Sequence, residues 1–370
     1  MIPLLDKLAN YGNHGQRVPI CGTDVQLLLK GTPSFSHILP ESESNAIVDP
    51  CSNRLALSHS CLKTFLSTEF DLGKFGISPG SRVGVLIPNG PELAVCLLCL
   101  VSRYCAAPIN PNITVSEITS ELQNTRCVGI VVLAREGSND THLDMVIKAA
   151  LKLSIVVMKL WPSSTVAGIF SLQLEFPAVE GGIEGPAVAT RAGTMSSPDA
   201  RKGSDIVLLL HTSGTSGTKK LVPYSLDMLL VGVGCIVSSW ALGPRDICLN
   251  MMPLFHIGGI VRNLFAPVLS GGCVITCSAF DPVMFWDVLE QVQVTWYYAS
   301  PTMHHALLQE ASTRQMHAPL PVESVRFVAN AAGGLLPALA ESLQRIFKAT
   351  ILTSYGMTEW CVIPSPPPCC

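Results

Sequence analysis

The run Leu208-Leu-Leu-His-Thr-Ser-Gly-Thr-Ser-Gly-Thr-Lys-Lys220 leads three aliphatic residues into a turn of hydroxyls, glycines and paired lysines. A buried strand emptying into such a turn suits a polyphosphate. Glycines let backbone N–H groups approach the oxygens, hydroxyls donate further hydrogen bonds, and a lysine adds positive charge. The spacing is not that of a Walker A loop, in which a second glycine, five positions after the first, is followed by Lys and Ser or Thr. The residue five positions after Gly214 is Lys219, and Gly217 is followed by Thr218. A Gly-x-Ser-x-Gly nucleophile elbow fits no better. Taken alone, the same residues also suit a plain Ser/Thr/Gly turn after a strand.

Three more loops carry chemistry-bearing residues: Met252-Pro-Leu-Phe-His-Ile-Gly-Gly259, Asn330-Ala-Ala-Gly-Gly-Leu-Leu-Pro337 and Ser354-Tyr-Gly-Met-Thr-Glu359. All three are expected at strand ends in the second half of the chain. In open parallel sheets ligands bind beyond the carboxyl ends of strands, so the four loops could share one cleft. The residues by themselves leave other roles open. His256 could bond to backbone at a strand end, Tyr355 and Met357 could be core, and Glu359 could be a solvated carboxylate. His304 and His305 do not suggest a metal pair, because adjacent helix residues do not share a face.

These loops need a scaffold, and the sequence alternates β-rich and helical stretches. Strands are expected over residues 82–88, 128–134, 154–160, 205–211, 246–252, 273–277, 294–299 and 325–329. Helices are expected at about 90–105, from the capping box Thr114-x-x-Glu117 onward, and at 141–153, 225–242, 259–269, 282–292, 302–311 and 337–347. Asp281-Pro282 and Ser300-Pro301 read as cap-plus-proline starts. The expected fold is α/β, with two successive helix-covered, mostly parallel β-sheet subdomains, incomplete at the C-terminus. Residues 1–44 read as an extension, 45–176 as the first subdomain and 177–204, rich in Gly, Pro, Ala and Ser, as a linker. Residues 205–363 read as the second subdomain and 364–370, with its proline run, as a truncated tail.

Composition narrows the partners. The 370 residues are 48% hydrophobic and 14% charged, with a net charge of −3 and no basic run. That balance argues for a core-rich globular protein and against nucleic acid or anionic membrane as partners. The longest uncharged apolar stretch, residues 93–101, is far short of the ~20 residues of a transmembrane segment and reads as a buried helix. The N-terminus has no secretory pattern, so a cytoplasmic protein is expected. The 14 cysteines sit largely in apolar segments as small hydrophobes, including the Cys96/Cys99 pair. Cys369-Cys370 resembles a dicysteine prenylation end, although an altered terminus explains it better.

Taken together, the motifs resemble the adenylate-forming superfamily: acyl-CoA synthetases, adenylation domains of peptide synthetases and luciferases. Thr212 to Leu221 resembles the family's Thr-Ser-Gly-Thr-Thr-Gly-x-Pro-Lys-Gly, and Tyr355 to Glu359 matches Tyr-Gly-x-Thr-Glu fully. Pro253 to His256 and Gly333 to Pro337 match two further elements, and Gly76 to Asn89 is similar to the family's early region. The resemblance covers about residues 45 to 363. It implies ATP-dependent activation of a small carboxylic acid as an acyl-adenylate, for transfer to CoA or to the phosphopantetheine of a carrier protein. It implies that Thr212, Ser213, Gly214, Thr215, Ser216, Gly217 and Lys220 hold phosphates. It implies that Thr358 would contact the α-phosphate and Glu359 would hold Mg²⁺, a hard cation that prefers oxygen. By the same resemblance Tyr355 would cover one adenine face and the backbone of Gly333, Gly334 and Leu335 the other, while His256, Gly356 and Met357 would lie at the acyl pocket.

The match has departures. Lys219 stands where the family has proline and Leu221 where it has glycine. The ribose-binding aspartate, the hinge and the lysine-bearing C-terminal domain that the resemblance leads one to expect after Glu359 are not found there. Weak adenylation is therefore expected from this chain alone. The competing expectation is a non-catalytic ATP/AMP-binding protein.

Overall fold

The computed structural model describes residues 35–134, 140–176, 201–212 and 219–363. Strands are numbered in chain order. One seven-stranded sheet contains β3 (Arg82–Leu86), β4 (Cys105–Pro108), β5 (Gly129–Leu133), β6 (Val156–Pro162), β7 (Phe170–Glu175), β8 (Ile206–His211) and β9 (Leu221–Ser225), in the spatial order β7-β6-β5-β3-β4-β8-β9. Its five inner strands are parallel and its two edge strands antiparallel. The other contains β1 (Asn45–Val48), β2 (Leu57–Ser58), β10 (Ile247–Asn250), β11 (Cys273–Thr276), β12 (Trp296–Ala299), β13 (Phe327–Asn330) and β14 (Thr350–Thr353), in the order β14-β13-β12-β10-β11-β1-β2. It is parallel throughout except at β2. A separate antiparallel hairpin pairs β15 (Tyr355–Met357) with β16 (Trp360–Ile363).

The α/β class and the mostly parallel sheets are as expected, and the inner strands show why. RVGVL, GIVVL and IVLLLH are nearly continuous apolar runs, the pattern of strands covered by helices on both faces. Sheet membership, however, does not follow chain order. β8 and β9, from the segment read as the second subdomain, complete the first sheet, while β1 and β2, from the segment read as the first, complete the second. Apolar periodicity marks a strand but carries no information about which distant edge it joins. The strands β1, β2, β4, β7, β9, β14, β15 and β16 were not anticipated. β9 contains Pro223, a residue confined to edges and bulges, and β9 is an edge strand.

Helix starts follow the caps read from sequence. Thr114 and Glu117 form the reciprocal capping box of helix Val115–Thr125. Asp281 and Ser300 accept from backbone N–H groups at the starts of Pro282–Gln291 and Pro301–Gln315; such caps are each worth about 1 kcal/mol. The helix expected over 259–269 is instead a π-helical turn, Gly259–Phe265, running into Ala266–Leu269. Helix Pro91–Arg103 is buried along almost its whole length, as its uncharged sequence suggested.

One core cluster draws on both sheets. Trp240, at the end of helix Leu226–Ser239, packs edge-on against Trp296 of β12 at 5.5 Å, and Trp296 stacks on Phe327 of β13 at 5.3 Å. Residues of both sheets join this cluster, including Val83, Leu208, Trp240, Trp296 and Phe327. Burial of each large aromatic contributes roughly 2–3 kcal/mol. Arg54 adds a polar tie, reaching Asp49 after β1 at 2.7 Å and Glu92 of helix Pro91–Arg103 at 2.5 Å.

Candidate functional site

The glycine-hydroxyl loop hangs from the β8–β9 hairpin, and its base is closed by backbone. The Thr212 N–H donates to the Lys220 carbonyl at 2.9 Å. In return the Lys220 N–H donates to Thr212 Oγ1 at 3.1 Å, which leaves the hydroxyl proton of Thr212 for an incoming oxygen. Ser213, Gly214, Thr215, Ser216 and Gly217 lie outside the described residues. Lys220 is exposed.

Lys219 behaves differently. Its ammonium lies 2.8 Å from Glu121 Oε1 of helix Val115–Thr125, and the other carboxylate oxygen faces His211 Nδ1 at 3.5 Å. Glu121 is 7% exposed. One buried carboxylate thus grips both ends of the loop, His211 before it and Lys219 after it. Burial lowers the His211 pKa, Glu121 opposes that shift and Lys219 adds to it. A neutral imidazole carrying its proton on Nδ1 satisfies Glu121 and leaves Nε2 buried without a partner. Sequence reasoning missed Glu121. Its signal was an acidic residue in the buried stripe of Ile118, Glu121, Leu122 and Thr125.

At the ends of β13 and β14 the other loops converge. The Ser354 N–H donates to the Asn330 carbonyl at 3.0 Å and the Ser354 hydroxyl to the same oxygen at 3.3 Å. Asn330 Nδ2 donates to the Gly333 carbonyl at 3.1 Å. The amide of Asn330 therefore shapes the turn holding Gly333, Gly334 and Leu335, while its backbone holds the start of Tyr355–Glu359. Asn330 Oδ1 is buried and unpartnered. A Cβ at Gly333 would come within 3.1 Å of the Pro301 ring, so the turn lies close over that helix start.

Tyr355 is 61% exposed and Met357 45% exposed, so neither is core. Gly356 and Glu359 are exposed too, with Thr358 half-buried. One link between the two sheets' loops is Tyr224, whose hydroxyl donates to the Thr358 carbonyl. Tyr224 belongs to β9, the strand that leaves the phosphate-type loop. The pentapeptide is thus hydrogen-bonded to the very hairpin that carries Thr212 and Lys220.

The fourth loop, 252–259, is held by Asn89 just beyond β3. Asn89 Nδ2 donates to the Met252 carbonyl at 2.8 Å, and Oδ1 accepts from the Leu254 N–H at 2.9 Å. The turn is tight, for a side chain at Gly259 would collide with the Pro253 carbonyl. His256 is exposed and sits against Phe255, ring centroids 4.6 Å apart. Partial desolvation lowers its pKa, which favours a neutral imidazole. His304 and His305 diverge as expected. His304 is buried against Tyr297, and its pKa is lowered to about 4 by burial, whereas His305 is exposed.

Among the described residues, no group of three or more His, Cys, Asp or Glu side chains could by itself hold a metal ion. A Mg²⁺ ion takes one or two carboxylates together with substrate phosphates and water, and the exposed Glu359 fits that minimal role.

Comparison with known proteins bears on this arrangement. Residues 72–369 match the family model of AMP-binding enzymes. Acyl-CoA synthetase ALT10 of Alternaria alternata is 31% identical over 333 residues, covering 86% of this chain and 57% of the relative. Acyl-CoA synthetase FUM10 of Gibberella moniliformis is 30% identical over 299 residues, 79% of this chain and 51% of the relative. An oxalate–CoA ligase of Saccharomyces cerevisiae is 27% identical over 282 residues, 75% and 50%. The chain spans about half the length of the curated relatives it matches. The structure of ATP-bound MatB from Rhodopseudomonas palustris shares the fold, with a TM-score of 0.69, 21% identity, and coverage of 90% of this chain and 61% of that one. With a family model spanning residues 72–369 of its 370, the chain belongs to the AMP-binding enzymes.

Proposed function

We propose that this chain binds ATP and activates a carboxylic acid as its acyl-adenylate, for transfer to a thiol of CoA. The carboxylate oxygen would attack the α-phosphorus, a new O–P bond would form, and pyrophosphate would leave with the electrons of the broken P–O bond. The observation that carries this reading is the Tyr224–Thr358 hydrogen bond, because it fastens Thr358 and Glu359 to the hairpin of Thr212 and Lys220. An ammonium at Lys220 would stabilise the β- and γ-phosphates, and the Thr358 hydroxyl would meet the α-phosphate. Ser213, Gly214, Thr215, Ser216 and Gly217 would add donors. Tyr355 would cover one face of the adenine and the backbone of residues 333–335 the other. The orphaned Asn330 Oδ1 is an acceptor suited to a base amino group. Mg²⁺ held at Glu359 would neutralise phosphate charge. His256, Gly356 and Met357 would border the acid.

CoA is favoured over a carrier-bound phosphopantetheine by the names of the relatives, which are CoA synthetases and ligases. A cytoplasmic setting agrees with the free state of the described cysteines. No described helix is long and apolar enough to cross a membrane.

The test is calorimetric titration with ATP and Mg²⁺ of the chain and of Lys220→Ala and Tyr355→Ala, followed by a search for acyl-adenylate across an acid panel. Binding that weakens about tenfold in each variant, about 1.4 kcal/mol, together with adenylate formation, supports the reading. ATP binding with no adenylate from any acid would reduce the protein to a nucleotide binder. No ATP binding at all would end the proposal.

A further inference from the structure

Arg262 lies in the π-helical turn Gly259–Phe265, directly after the loop of His256, and it is 2% exposed. Its Nε and Nη2 are buried and have no hydrogen-bond partner. No carboxylate among the described residues pairs with it, although arginines 54, 314 and 326 each reach at least one. The neighbouring Asn263 is turned elsewhere, its Nδ2 donating to Asn250 Oδ1 at 2.9 Å. What the guanidinium does touch is Tyr298, whose ring centroid lies 5.1 Å from its carbon and whose hydroxyl accepts a hydrogen bond from it. A ring face compensates a buried cation less fully than an anion does. The free Nε–H and Nη2–H lie on one edge of the guanidinium, the arrangement that grips an anion through two oxygens.

Its position gives those donors a use. A Cβ at Gly258 would meet Arg262 Nη1 at 3.3 Å and the Tyr298 hydroxyl at 3.0 Å. The missing side chain there lets the guanidinium and the phenol lie directly beneath the turn that carries His256. We propose that Arg262 is a specificity-determining residue that binds a second anionic group on the acid, so that the chain selects acids bearing two negative charges, such as dicarboxylates. This rests on the reading of His256 as the border of the acid site. One carboxylate would be activated. The other would accept from the free Nε–H and Nη2–H of Arg262, with the Tyr298 hydroxyl beside it.

The experiment is calorimetric titration of the full chain, with and without ATP and Mg²⁺, using malonate, succinate and glutarate against propionate, butyrate and pentanoate. At least one diacid should bind about tenfold or more tightly than the monoacid of equal carbon number. Arg262→Met should erase that difference and leave ATP affinity unchanged. Arg262→Lys, which keeps the charge without the fork, should keep a reduced part of it, and it stands in if the Met variant fails to fold. Equal affinity for diacids and monoacids in the wild type overturns the proposal, as does a preference that persists undiminished in both variants. Diacid binding that depends on Arg262 in a chain that does not bind ATP would support the anion site and defeat the adenylation reading, so the two failures are distinguishable.

Discussion

Asn89 and Leu254 belong to different sheets' loops and are joined by a hydrogen bond from the Leu254 N–H to Asn89 Oδ1 at 2.9 Å, with the same amide donating to Met252 at 2.8 Å. One side chain from the first sheet thus splints the backbone on both sides of Pro253, and with it the turn that presents His256. Asn89→Ala removes both bonds and strands a partly buried carbonyl and N–H. Chemical unfolding should report a loss of about 1–3 kcal/mol. Asn89→Asp keeps the acceptor but loses the donor, and its cost should fall between wild type and Ala.

Lys219 stands where the motif that this loop resembles has proline, and its ion pair with Glu121 offers another source of stiffness at that point. Glu121→Gln should weaken ATP binding several-fold by freeing both Lys219 and His211 from the loop base. Adding Lys219→Pro to that variant should restore much of the affinity, because proline fixes φ at the same point. Titration with ATP of the three proteins decides the matter, and an unrescued double variant would refute the substitution of charge for rigidity.

Tyr224→Phe deletes a single hydroxyl and leaves the ring in the core. Its bond to the Thr358 carbonyl is worth about 1 kcal/mol, so global stability should change little. If that bond sets the pentapeptide over the hairpin, ATP affinity should fall about fivefold. A drop in melting temperature with unchanged ATP affinity would show that the hydroxyl serves only the fold.

His304 sets an acid limit. Burial lowers its pKa from 6.5 to about 4, with His305 contributing further. The unfolded chain therefore binds this proton more readily than the folded one between those values. Stability is present above pH 6.5 and is lost as the pH falls toward 4, with about 2 kcal/mol lost from this residue alone between pH 7 and pH 5. His304→Gln should flatten the urea-midpoint profile across that interval. An equally steep profile in the variant would place the acid sensitivity elsewhere.

The parts legible in the sequence were those encoded locally. The capping box at Thr114, the Asp281-Pro282 start and the apolar run of β8 each state their structure within a few residues. The motifs around Lys220 and Tyr355 likewise announced the family by type and order. What escaped were partnerships across long separations. Glu121 meets Lys219 at a distance of 98 positions, Asn89 meets Leu254 at 165 and Tyr224 meets Thr358 at 134. Nothing in the identity of a glutamate or an asparagine names its partner. Arg262 was passed over for a related reason: an arginine in an apolar stretch shows that it is unusual, but only three-dimensional packing reveals that its donors are unmet.

The exchange of strands between the two sheets has a consequence for how the molecule can be divided. A break between residues 176 and 201 would leave β4 without its neighbour β8 on one side, and β11 without β1 on the other. Each piece would then carry a naked sheet margin, with exposed amide and carbonyl rows that invite aggregation. The two halves are braided rather than joined end to end. Expressed apart, they should precipitate singly, and soluble material should return only when both are refolded in the same vessel.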